Sequence, residues 1–148
     1  MTYTFNRQFP ETRLRRLRYN DNVRSMIREV ELHPKHFIAP VFVLEGNNER
    51  QAIASMPGVE RLSVDLLIEY AKQLLSLGVT TIDLFPVIDP SLKTEKAENA
   101  YDENGLAVTA IKAIKDAIPE LVVMTDVALD PYTGHGQDGL LDETGYVT

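Results

Sequence analysis

Apolar positions along the chain recur with two different periods. Val23, Met26, Ile27 and Val30 stand at i, i+3, i+4 and i+7, the spacing of one helical face. Asn20 or Asp21 can cap that helix, and Pro34 ends it. The run FIAPVFVLEG, residues 37–46, is compact, apolar and rich in β-branched side chains. It predicts a buried strand with Gly46 at its exit. Residues 46–62 hold neither period and predict an irregular connection with a Pro57–Gly58 turn. Ser63 is a suitable N-cap for a helix running to about Leu77, with Leu67, Tyr70, Ala71 and Leu74 as its apolar stripe and Gly78 just past its end. TTIDLFPV, residues 80–87, predicts a second strand that Pro86 closes. After a polar loop, Asn104 can cap a third helix, with Val108, Ile111, Ala113, Ile114 and Ile118 on or near its inner face, and Pro119 stops it. LVVMTDVAL, residues 121–129, predicts a third strand.

Strands that are apolar on both faces and alternate with helices imply a parallel sheet. Two architectures fit, an open doubly wound sheet or part of a (β/α)8 barrel. No glycine-rich phosphate loop follows any strand, which weakens a nucleotide-binding reading. A full barrel needs about 250 residues. The expectation is therefore the front part of a longer protein, with an N-terminal arm over 1–20 and the first βα units of the barrel over 21–148.

Composition narrows the chemistry. The 148 residues include no cysteine, so neither a disulfide framework nor a thiolate metal site is available. No apolar run approaches the ~20 residues of a membrane span, and no apolar leader opens the chain. The expected location is the cytoplasm. The net charge of −7 repels nucleic acid. That charge is uneven: Arg7, Arg13, Arg15, Arg16 and Arg18 crowd the start, whereas five acids and no Lys or Arg lie from Asp126 onward. An arm that alternates Leu14 and Leu17 with guanidinium groups suits docking on another subunit.

In parallel α/β folds, ligands sit beyond the C-terminal strand ends. Asp83 and Phe85–Pro86 fall at the end of the second strand, Asp126 near the end of the third, and Asp130, His135 and Asp138 in the loop after it. Carboxylates without thiolates favour hard cations such as Mg2+ or K+, and can also orient water or hold an ammonium group. Gly134, Gly136 and Gly139 allow sharp bends close to a ligand. The competing reading is an ordinary turn rich in Asp and Gly with a structural histidine. An unrelated Mg2+-dependent barrel enzyme of the class II aldolase kind would also use strand-end carboxylates. Only one histidine lies on this rim, and no second ligand cluster accompanies it.

The stretch TDVALDPYTGHGQDG, residues 125–139, closely resembles the metal-switch region of the porphobilinogen synthase (5-aminolevulinate dehydratase) family. RLRRLR (13–18), FIAPVFVLEG, SMPGVERLS (55–63), LFPV (84–87) and ENGL (103–106) resemble further parts of that family in the same order. The resemblance implies a (β/α)8 barrel that condenses two 5-aminolevulinate molecules to porphobilinogen, with loss of two waters, in haem and other tetrapyrrole synthesis. It implies a homo-octamer in which the arm hugs a neighbouring subunit. Where many members bind zinc through three cysteines, this chain has Ala128, Asp130 and Asp138. That pattern resembles the aspartate-rich, zinc-independent branch, which responds to Mg2+ or monovalent cations at a site outside this segment. By the same resemblance, Asp126 is the catalytic strand-end aspartate, Asp130 and Asp138 shape a substrate pocket, and His135 is structural. The family holds its substrates as imines on two lysines of later strands. Lys35, Lys72, Lys93, Lys96, Lys112 and Lys115 match neither carrier, so the segment alone is expected to be inactive. A non-catalytic fragment that associates with itself or with full-length subunits is the alternative.

Overall fold

The computed structural model describes residues 8–148 and divides them into two compact units, one ending at Leu32 and the other spanning His33–Thr148. Arg7, counted in the basic arm, lies outside the described residues.

The first unit holds a 3-10 turn at Arg16–Arg18 and one short helix, α1 (Asp21–Met26). Asn20 caps α1, accepting the Val23 N–H at 2.9 Å, and Arg24 pairs with Asp21. The helix expected to reach Pro34 stops after six residues, and its expected inner face is not buried: Met26 is 84% exposed and Val30 74%. A six-residue helix has too few internal bonds to persist by propensity. The apolar spacing here meets no second surface within its own unit.

The second unit is one five-stranded sheet with helices against it. Its elements are β1 (Ile38–Leu44), β2 (Arg50–Ala52), β3 (Glu60–Ser63), α2 (Val64–Ser76), β4 (Thr81–Pro86), α3 (Leu106–Ala117) and β5 (Val122–Thr125). The strand order is β2-β3-β1-β4-β5; β3, β1, β4 and β5 run parallel, and β2 is antiparallel to β3. The β2–β3 hairpin corrects the irregular connection expected over 46–62. The Pro57–Gly58 turn inside it is present, with the Val59 N–H on the Met56 carbonyl and Gly58 at φ +83.

β1, β4 and β5 are successive neighbours joined by α2 and α3, which is single winding. Val41, Val43, Ile82 and Leu84 point into a core shared with Leu67, Ala71 and Leu74 of α2 and Leu106, Ala110 and Ile114 of α3. Tyr70, expected in the α2 stripe, is 40% exposed at its edge. The other sheet face carries Ile38, Phe42, Asp83, Phe85, Val122 and Met124, by the registers Phe42↔Phe85 and Asp83↔Met124. No helix of this unit covers that face. One layer of helices on one face is the outer wall of a barrel and rules out the doubly wound alternative for this sheet.

Helix ends follow local rules. At the end of α2, Val79 N–H reaches the Leu74 carbonyl and Gly78 N–H the Leu75 carbonyl, with Gly78 at φ +87. Gly105, not Asn104, stands at the N-cap position of α3, with no side-chain cap; Asn104 lies one residue earlier, its N–H donating to Asp102 Oδ1 at 2.9 Å. The strand expected over 121–129 ends at Thr125. Thr125 pairs with Leu84, and the next four residues leave the sheet.

Candidate active site

The C-terminal ends of β1, β4 and β5 form one rim, and the loop after β5 lies on it. Asp126 is the first residue past β5 and is exposed. It stands two residues beyond Met124, so the alternation of the strand directs it toward the open face that also carries Asp83 one strand away. On Asp83, Oδ1 is sealed from solvent and has no hydrogen-bond partner among the described residues.

The loop is tightly built. A 3-10 turn at Asp130–Tyr132 starts it, with Pro131 at a position that needs no N–H donor. Asp138 Oδ1 accepts the N–H groups of Leu129 at 2.6 Å and Asp130 at 2.9 Å. Asp130 and Asp138 are thus brought together, both exposed, beside the half-buried Ala128. Thr133, 2% exposed, accepts the Gly136 and Gln137 N–H groups and lies 3.0 Å from the Gln137 carbonyl. The Thr94 N–H binds the Tyr132 carbonyl and the Gly134 N–H binds the Thr94 carbonyl, which ties this loop to the one after β4. Tyr132 is buried there, and desolvation pushes its hydroxyl above the usual tyrosine value. Both ring nitrogens of His135 are sealed without a partner among the described residues.

The glycines differ in need. Gly136 and Gly139 sit at φ +71 and +116, and a Cβ on Gly139 would stand 2.7 Å from the Thr148 carbonyl oxygen. Gly134 has no such requirement.

Among the described residues, no group of three or more His, Cys, Asp or Glu comes together as a metal site. A concavity of about 420 Å³ lies away from the rim, between Ala39, Val41, Arg50, Glu60, Leu62 and Tyr70. It arises because β3 pairs with β1 only at Phe42–Leu44 and leaves the earlier half of that edge open. The six lysines stand where turns, helix surfaces and the long loop were expected. Lys72 pairs with Glu69 on α2, Lys115 binds the Leu121 carbonyl below α3, and none is at a strand end. The sequence does not mark Thr133 as a buried hub, since a threonine between Tyr and Gly in a turn carries no such pattern, and it does not mark the exposed Thr94, whose role rests on its backbone N–H and carbonyl.

A family model for delta-aminolevulinic acid dehydratase matches residues 11–148. The dehydratase of Bradyrhizobium diazoefficiens is 48% identical over 129 residues, covering 87% of this chain and 36% of that protein. That of Bacillus subtilis is 38% identical over 143 residues, covering 97% of this chain and 42% of that protein. The chain therefore spans about two fifths of these relatives. The crystal structure of the Toxoplasma gondii dehydratase, in complex with its product porphobilinogen, superposes with a TM-score of 0.87 and 39% identity, over 93% of this chain and 39% of that one. A singly wound sheet, a carboxylate-bearing loop on its rim and these matches have one reading: the chain belongs to the delta-aminolevulinic acid dehydratase (porphobilinogen synthase) family.

Proposed function

We propose that this chain supplies the first βα units, and the carboxylate side of the active site, of a porphobilinogen synthase. That lyase joins two 5-aminolevulinate molecules into porphobilinogen with loss of two waters, on the way to haem and other tetrapyrroles. The observation that carries the proposal is the placement of Asp126 and the Asp130–Asp138 loop on the C-terminal rim of a sheet that matches the product-bound relative. Asp126 acts as the catalytic carboxylate: it orients water and steadies cationic iminium intermediates. Asp130 and Asp138 shape the pocket for one substrate. The imine-forming amines are not among the chain's lysines, which lie on helix surfaces, turns and the long loop.

Zinc does not suit the positions Ala128, Asp130 and Asp138, which offer no thiolate. The enzyme uses Mg2+ or a monovalent cation held outside this segment. It works in the cytoplasm as a homo-octamer, with the basic arm on a neighbouring subunit. A second reading, a non-catalytic fragment that associates with itself or with full-length subunits, is favoured by the open sheet face, where Ile38 is 49% and Val122 54% exposed. Sedimentation of the chain, with Val122→Lys as the control that weakens association, tests that reading.

The catalytic proposal is tested with a chimera in which this chain replaces the matching segment of the Bradyrhizobium diazoefficiens enzyme. It should form porphobilinogen from 5-aminolevulinate, and Asp126→Asn should cut kcat by roughly 100-fold or more. A folded, assembled chimera that forms none, or an Asp126→Asn variant as fast as its parent, contradicts it.

A further inference from the structure

We propose that Asp138 is a positioning residue: its carboxylate fastens the loop after β5 and thereby sets where Asp130 stands on the rim. This deepens the reading of the same loop and rests on it for the identity of the pocket, but its test does not depend on activity.

The argument starts from the N–H groups it receives. Leu129 and Asp130 are the N-cap and first residue of the 3-10 turn Asp130–Tyr132. Amides at a helix start have no acceptor within the helix and need one from outside. Asp138 Oδ1 takes both, at 2.6 and 2.9 Å. Hydrogen bonds to an ionised acceptor are shorter and roughly twice as strong as neutral ones. The bond to Leu129 spans nine residues, so it closes the loop and does not merely decorate it.

What precedes the clasp needs it. β5 ends at Thr125, and Asp126 to Leu129 lie outside the sheet. Val127 is 99% exposed, so this stretch is not anchored by a buried side chain there. The far end of the clasp is itself fixed. Gly139 follows Asp138 at φ +116 and has no room for a Cβ beside Thr148 and Val147, Leu140 is bonded to Thr148 through the backbone, and the Thr133 hydroxyl holds Gly136 and Gln137 just before it. Asp138 is therefore a short strut between a fixed corner and a free one. The two aspartates differ in what they do: Asp138 gives one carboxylate oxygen to the backbone, while Asp130 takes part through its N–H and its side chain is exposed.

The test is NMR of the isotopically labelled 148-residue chain, with no substrate or metal added. Wild type should show a through-hydrogen-bond coupling from the Leu129 or Asp130 amide nitrogen to the Asp138 carboxyl carbon. Both amides should exchange with solvent at least about tenfold faster in Asp138→Ala. Asp138→Asn keeps the acceptor oxygen and should restore both the slow exchange and the Asp130 N–H residual dipolar coupling. Slow exchange in β1 and β4 reports that each variant is folded. No coupling in wild type, or equal amide exchange in wild type and Asp138→Ala, overturns the proposal. So does failure of Asp138→Asn to restore the Asp130 orientation. If Asp138→Ala does not fold, the wild-type coupling and Asp138→Asn decide. An inactive chimera with an intact clasp sinks the catalytic reading and leaves this one standing.

Discussion

Thr133 shows how much one side chain can hold. Its hydroxyl receives the Gly136 and Gln137 N–H groups at 3.1 and 3.2 Å, and the residue itself is 2% exposed. Thr133→Val keeps the shape and leaves two amides without an acceptor, so it should cost about 1–3 kcal/mol in urea unfolding, while Thr133→Ser should cost less. A valine variant as stable as wild type would refute the hub. Carboxylates set the acid limit. Asp65 is held below the ordinary carboxylate value by the Ser63 hydroxyl first, and then by the Asn48 N–H. Asp142 is lowered by the Thr144 hydroxyl and the N–H groups of Tyr146 and Thr144. A folded pKa below the unfolded one gives stability that is present above the unfolded value and lost as pH falls through the folded one. The chain should therefore weaken below about pH 4. Ser63→Ala should move the Asp65 carboxyl titration upward, and a carbon-detected titration that shows no movement would refute the assignment.

At the scale of the element, burial decides which side chains matter. Leu67 is fully buried between α2 and the sheet, so Leu67→Ala should cost about 2–5 kcal/mol in the same unfolding assay. Met26, 84% exposed on α1, should be neutral to alanine within about 0.5 kcal/mol. An equal loss for both would mean that α1 packs as the helical spacing predicts. The central βαβ repeat was legible because α2 and α3 carry their apolar residues at helical spacing, and β1 and β4 are compact β-branched runs. α1 is shorter than its apolar spacing predicts, because spacing describes a face but not whether anything covers it. β2 carries no strand signal in the sequence, since Arg50, Gln51 and Ala52 have no apolar alternation; it is held by its backbone pairing and by the polar cross-strand pairs Arg50–Glu60 and Arg61–Gln51, whose partners lie ten residues away. β5 was drawn too long because the VAL of residues 127–129 reads as strand, yet its last pair is Thr125 with Leu84. In the loop, composition marked Asp126, Asp130, Asp138 and His135 as candidates. It could not show that Asp138 turns back onto the Leu129 and Asp130 amides, since that contact depends on how the loop folds.

At the scale of the whole molecule, the helices of the second unit lie on one face of its sheet, and among the described residues the rim gathers carboxylates but no lysine. The lysines lie on helix surfaces, in turns or in the long loop, which is the basis of the proposal that this chain gives the carboxylates of the site and not its imine-forming amines. An imine carrier needs a desolvated amine, whereas Lys72, for one, is solvent-exposed and ion-paired with Glu69. The most direct measurement is to incubate the chain with 5-aminolevulinate, reduce with borohydride and weigh the intact protein. An unchanged mass is the expected result. A stable adduct on any of the six lysines would contradict the division of the site between this chain's carboxylates and amines it does not carry.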